Sequence, residues 1–148
     1  MLIPLIFLMG CDLLDDKLGH SCNMMYAPDM VNILMTTDGM LDASDAVMVL
    51  IEGGDVPVTC TYEGDNQGAI CDDNTSHIWS EDGMLNISLW EQTPKEVSVS
   101  VWLEDNDLSE GTWSGTPEYI EDEPNGEGCG FRQFGELVLD ISSMFNVG

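Results

Sequence analysis

Residues 84–103 read Met-Leu-Asn-Ile-Ser-Leu-Trp-Glu-Gln-Thr-Pro-Lys-Glu-Val-Ser-Val-Ser-Val-Trp-Leu. Leu85, Ile87 and Leu89 alternate with Asn86, Ser88 and Trp90. Val97, Val99, Val101 and Leu103 alternate with Ser98, Ser100 and Trp102. A period of two is the mark of a β-strand with one buried and one wet face. Two sheets with such faces hide their apolar sides by stacking, so the stretch predicts a β-sandwich.

Working outward, the same pattern recurs. Residues 30–36 predict a first strand, and the apolar run 46–51 predicts a central one. Val56, Val58, Cys60 and Tyr62 share one face of a third strand, and residues 68–71 form its short partner. Leu137, Leu139 and Ile141 mark the inward face of the last strand. Clusters of Gly, Asp, Asn and Pro separate these runs, as turns do. Helical signals are scarce, with one turn at most over 42–46. Residues 116–128, rich in Pro, Gly and acid, read as a long loop.

The chain has 148 residues, enough for one domain with a modest core. Asp and Glu number 28 against three bases, Lys17, Lys95 and Arg132, so the formal net charge is −25. Such a field repels nucleic acid and anionic headgroups and attracts cations and basic proteins. Charge of this kind also serves solubility in salt, where screening weakens self-repulsion.

The opening is an address. Residues 1–9 are apolar but too short to span a bilayer, and Gly10-Cys11 follows them. Leu8-Met9-Gly10-Cys11 resembles the lipobox of bacterial lipoprotein signal peptides, without the Lys or Arg that usually precedes the apolar run. The resemblance implies lipid on the Cys11 sulfur, cleavage before it and acylation of the new amino group. Residues 1–10 are then a signal peptide, 11–28 an acidic tether and 29–148 the folded domain. Removing Cys11 leaves Cys22, Cys60, Cys71 and Cys129, an even number that suggests two disulfides in an exported chain. Three connectivities exist. Two strands meeting across the turn-rich segment 64–68 bring Cys60 to Cys71, and Cys22 then pairs with Cys129 by elimination. No C-x-x-C pair is present, which argues against zinc.

The order of these features resembles the carboxypeptidase regulatory-like, prealbumin-type domain of many bacterial lipoproteins. A first strand leads into Asp38-Gly39, and a second, 45–51, into Gly53-Gly54. A Cys-bearing hairpin and two alternating strands follow, and Gly128-Cys129-Gly130-Phe131 precedes the last strand. The resemblance covers about residues 22–142. It implies a seven-stranded antiparallel Ig-like sandwich serving as an accessory or binding module, with no peptidase activity, and it also favours Cys22–Cys129. The acidic insert before Cys129 departs from the pattern.

Reactive constellations are thin. The histidines are His20 in the tether and His77 near a turn, and no G-x-S-x-G, H-E-x-x-H or phosphate-cradling loop occurs. With 28 acids, close carboxylate pairs arise by chance and carry no glycosidase signal. Calcium is the one candidate ion, because hard cations take clustered oxygens on loops. Its candidate ligands are Asp38 and Asp42, and Asp105 and Asp107 in the run Asp105-Asn106-Asp107. That run has Glu110 where a calcium loop needs Gly and Thr116 where it needs a bidentate acid. Trp90 and Trp102 point away from the core by alternation, onto one sheet. Either they form a platform for a protein or glycan, or the loop 112–117 covers them with Trp113 packing there, the reading preferred here.

The sequence therefore predicts a non-enzymatic binding or accessory module of the bacterial cell envelope, held by lipid at a membrane and requiring no cofactor. An acidic inhibitor of a basic hydrolase such as lysozyme is one alternative. A calcium-stabilised extracellular module is another.

Overall fold

Alternation translates directly into strands. In the computed structural model, which describes residues 22, 26–39, 41, 46–63, 68–81, 83–104 and 110–145, the first strand β1 (Met30–Thr36) buries every second residue. Next come β2 (Ala46–Glu52), β3 (Val58–Glu63), β4 (Ala69–Ile70), β5 (His77–Glu81) and β6 (Met84–Trp90). After them come β7 (Val97–Leu103), β8 (Glu110–Gly115), β9 (Glu118–Asp122) and β10 (Arg132–Asp140). A 3-10 turn, Ser142–Phe145, closes the described chain. Among the described residues no helix is long and apolar enough to cross a membrane.

Two sheets form. One has the order β4-β5-β6-β1-β10-β9 and the other β3-β2-β7-β8. The inner face of the six-stranded sheet supplies Val31, Ile33, Met35, Ile78, Leu85, Ile87, Leu89, Leu137 and Leu139. The four-stranded sheet answers with Val47, Val49, Ile51, Val58, Cys60, Tyr62, Val97, Val99 and Val101. Trp113 and Tyr119 are half-buried against this core.

Seven of the strands lie where the sequence predicts them, but the described residues hold ten. The extra three are β5, β8 and β9. The predicted loop over 116–128 begins instead with β9, which pairs with β10. The sandwich is also not wholly antiparallel, because β1 and β10 run parallel in full register from Met30↔Phe134 to Thr36↔Asp140. Nor does its order follow the constant-type immunoglobulin sandwich, where the first two strands share a sheet: here β1 and β2 lie in different ones. Val56 does not share the face of Val58. It is 63% exposed in a bend ahead of Pro57, and the strand starts after that proline.

Both sides of the sandwich are stitched where the chain changes sheets. On one side β3 gives way to β4, and Cys60–Cys71 clamps the two with Cα atoms 4.3 Å apart. The Asp72 amide donates to the Thr59 carbonyl at 2.9 Å, and the Thr59 amide donates back to the Asp72 carboxylate at 2.8 Å. On the other side Thr116-Pro117 carries the chain from β8 to β9, and Pro117 is buried. Gly135 makes that corner possible. A Cβ there would lie 2.5 Å from the Tyr119 ring, which rests directly on β10.

Cys22 pairs with Cys129 at a Cα separation of 5.6 Å, closing 107 positions of chain. A loop this long restricts the unfolded ensemble strongly in the chain-entropy account. Replacing both cysteines by Ser is expected to lower stability by roughly 2–5 kcal/mol. Urea unfolding checks this, and a midpoint equal to that of the parent would show that the bond contributes nothing.

Candidate binding surface

The register of the six-stranded sheet decides what faces outward. The residues between the core positions fall into rows that run across the strands. One row is Trp90–Met30–Phe134–Ile120, from β6 through β1 and β10 to β9. The next is His77–Ser88–Asn32–Glu136–Glu118. A third is Trp79–Asn86–Leu34–Val138. The last is Glu81–Met84–Thr36–Asp140. Successive rows lie about 7 Å apart, two strand residues each. Two apolar rows thus bracket a polar one, and a partly acidic row bounds them.

On the β4–β5–β6 side the polar row is sealed. The Ser88 hydroxyl donates to the Asn32 carboxamide oxygen at 2.6 Å, and Asn86 donates to the Met84 carbonyl at 3.3 Å. Asn86 and Ser88 are both buried. Beside them lies a groove of about 600 Å³ lined by Met30, Ile70, His77, Trp79, Ser88 and Trp90. The rings of His77 and Tyr26 lie 5.7 and 6.4 Å from that of Trp90. The Tyr26 hydroxyl donates to the Glu91 carboxylate, and that bond raises the phenol pKa above its ordinary value. The Trp90 indole N–H is shielded from water and meets no acceptor among the described residues, an arrangement that costs free energy.

The β9–β10 side is open. Arg132 grips Asp122 through two bonds of 2.8 and 3.1 Å, and its guanidinium sits 5.4 Å from the centre of the Phe134 ring. Next along the two strands is the apolar pair Phe134↔Ile120, and then Glu136↔Glu118. Both of these glutamates are exposed and stand directly opposite each other. Like charges so placed in a sheet repel. Arg132 is committed to Asp122. The other described base, Lys95, lies in a separate concavity with Glu52, Asp55 and Glu96.

The residues singled out from sequence fare unevenly. Trp90 and Trp102 do not share a sheet. Trp90 belongs to β6 in the six-stranded sheet and Trp102 to β7 in the four-stranded one. The partner of Trp90 on its face is Trp79. No 112–117 loop covers them either, because residues 112–115 belong to β8, and Trp113 turns inward against the core. The four paired cysteines meet as described above. Asp38 occupies the turn after β1 in a left-handed conformation, φ 56°. Asp42, Asp105, Asp107 and Cys11 lie outside the described residues. Among the described residues no three His, Cys, Asp or Glu side chains converge as metal ligands.

His77 forms no couple with the neighbouring serine. The Ser76 hydroxyl donates to Asp73 at 2.5 Å and accepts the Trp90 amide at 3.1 Å. It therefore pins the end of β6 to the turn before β5. The residues that sequence reasoning missed are Glu118, Ile120, Phe134, Glu136 and Val138. A signal existed in β10, since an inward Leu137 and Leu139 require an outward Glu136 and Val138. Comparison with known proteins adds no relative: no family model, no curated protein and no solved structure matches this chain.

The Asp73 turn yields a pH prediction. Burial raises the Asp73 carboxyl, but the Ser76 hydroxyl and the Ser76 and Thr75 amides outweigh it and hold the pKa below its ordinary value. A depressed folded pKa stabilises the fold above the unfolded value, near pH 4, and the gain is lost as pH falls through the folded value. Asp73→Ala is expected to cost on the order of 1 kcal/mol near neutrality, the usual worth of a cap of this kind. The gap from the parent should narrow below about pH 4. Denaturant melts at several pH values test this, and a gap independent of pH would refute it.

Proposed function

We propose that the chain is a lipid-anchored binding or accessory module of the bacterial cell envelope, with a prealbumin-type sandwich displayed at the membrane and no reaction of its own. The observation that carries this reading is the partition of its sulfurs. Four of the five cysteines are consumed in two disulfides. Disulfides persist in oxidising compartments, so the chain is exported. The fifth, Cys11, stands where the lipobox resemblance requires the acceptor of lipid. Display follows physically. Several acyl chains hold a domain stably, whereas one holds it only marginally. The acidic stretch 12–28 keeps the domain hydrated and clear of anionic headgroups.

Binding is the work left for such a domain. Its polar turns are occupied in structural hydrogen bonds, as with Ser76 and Asp73. Its outer sheet face, by contrast, presents apolar side chains that the fold leaves uncovered. An inhibitor of a basic hydrolase such as lysozyme is the form of this reading in which the partner is itself an enzyme, and the acidic charge favours it.

Cys11→Ser, expressed in a bacterial host, is expected to move the protein from the membrane fraction to the soluble one. Retention at the membrane would remove the anchor from the proposal.

A further inference from the structure

We infer that the outer face of the six-stranded sheet, centred on its β9–β10 side, docks a cationic amphipathic polypeptide: a helix or strand carrying Lys or Arg beside an apolar stripe. The inference rests on the binding-module reading and names the surface and the chemistry of the partner. Three observations carry it.

The first is apolar exposure. Ile120 is 63% and Val138 58% exposed, and Ile70 at the far edge is 61% exposed. Ile120 lies in the row of Phe134, Met30 and Trp90, and Val138 in the row of Leu34 and Trp79, while Ile70 ends the polar row at His77. Apolar side chains gathered on one face of a monomer mark an interaction surface. The second is the Glu118–Glu136 pair between Ile120 and Val138. Folding gains nothing from placing two carboxylates opposite each other. A cation brought from outside relieves the repulsion and gains two charge-assisted partners. The third is the commitment of Arg132, whose guanidinium is spent on Asp122 and Phe134. No other described Lys or Arg lies on this face, and His77 stands three strands away from Glu136 along the same row.

Charge selects among occupants. A second copy would bring its own Glu118 and Glu136 and a further −25, so self-association through this face is opposed. Anionic lipid is opposed for the same reason. The two apolar rows each cross four strands, and a polypeptide covers such rows with a stripe of apolar anchors.

The test is calorimetry on the full chain with a synthetic amphipathic peptide of leucine and lysine, and with its leucine–glutamate counterpart as control. At roughly 0.15 M salt the lysine peptide should bind and the glutamate peptide should not. Glu118→Gln with Glu136→Gln should weaken binding at least about fivefold. Ile120→Ser with Val138→Ser should weaken it to a similar degree. Glu63→Gln with Glu110→Gln removes the same charge from the outer face of the other sheet and should change binding less than about twofold. The Glu118/Glu136 substitution relieves repulsion, so an unchanged or raised melting temperature separates lost binding from lost folding. Equal weakening by both glutamate pairs overturns this surface while leaving a cationic partner in place. No binding by the parent protein overturns the surface and the partner together. Binding of neutral cellohexaose or of phosphatidylcholine vesicles, or self-association, lost on Ile120→Ser with Val138→Ser, would give the face to another occupant and overturn the proposal.

Discussion

The register of β1 between β6 and β10 is the constraint from which the rest follows. β1 pairs along its whole length with both neighbours, antiparallel to one and parallel to the other. Its inward residues Val31, Ile33 and Met35 are fully buried, with Leu85, Ile87 and Leu89 on one side and Leu137 and Leu139 on the other. A slip of one residue would exchange the faces of a strand and put Asn32 into the core. That penalty makes the register nearly unique. Because β10 comes last in the described strands, β1 cannot complete its pairing until nearly the whole domain has been threaded. The Cys22–Cys129 bond lies at the entrance to these two strands and holds them near each other.

The same register that builds the core also builds the outer face. Strand alternation fixes the two faces together, so an inward Leu137 sets Glu136 and Val138 outward. Nothing in the core explains why the outward positions are apolar. Stability is served by Val31 and Ile33 whether Val138 is valine or serine, and solubility would favour serine. An exposed apolar row beside a sheet edge invites unwanted pairing, which proteins counter with charge on that edge. β9 follows this rule with Glu118, Glu121 and Asp122 around a single Ile120. Its acids guard the edge against copies of the same chain, and they do so without repelling a partner of opposite sign.

How far the sequence could be read depended on how loudly each strand alternates. β6 and β7 carry clean alternation and were legible, as was β1. β8 reads Glu-Gly-Thr-Trp-Ser-Gly, with two glycines and one apolar residue, and β9 reads Glu-Tyr-Ile-Glu-Asp. Both are edge strands, and edges need little apolar content because one side has no neighbour. β5 is hidden by His77 and Glu81, and only Ile78 is fully buried there. The disulfide between Cys60 and Cys71 was legible because a short turn limits how far apart they can lie. Which sheet each tryptophan joins was not, because alternation gives the face of a strand but not its neighbours. That depends on long-range pairing, and Trp90 and Trp102 parted company there.

Acidity of this magnitude acts differently at different places on the molecule. Over most of the surface the carboxylates are solvated, and at physiological ionic strength their fields fade within about 8 Å. Close to the sheet, where apolar side chains displace water, the local dielectric falls and each charge counts for more. Arg132 illustrates this: it sits over the Phe134 ring and beside the Met30 sulfur with both of its bonds to Asp122 kept, so apolar contact and charge pairing reinforce each other. Glu136 and Glu118, one outward position further along the same strands, sit beside the same apolar pair without a base between them. The fold therefore offers two adjacent carboxylate sites on one apolar ridge, one met by Arg132 and one that no Lys or Arg among the described residues meets.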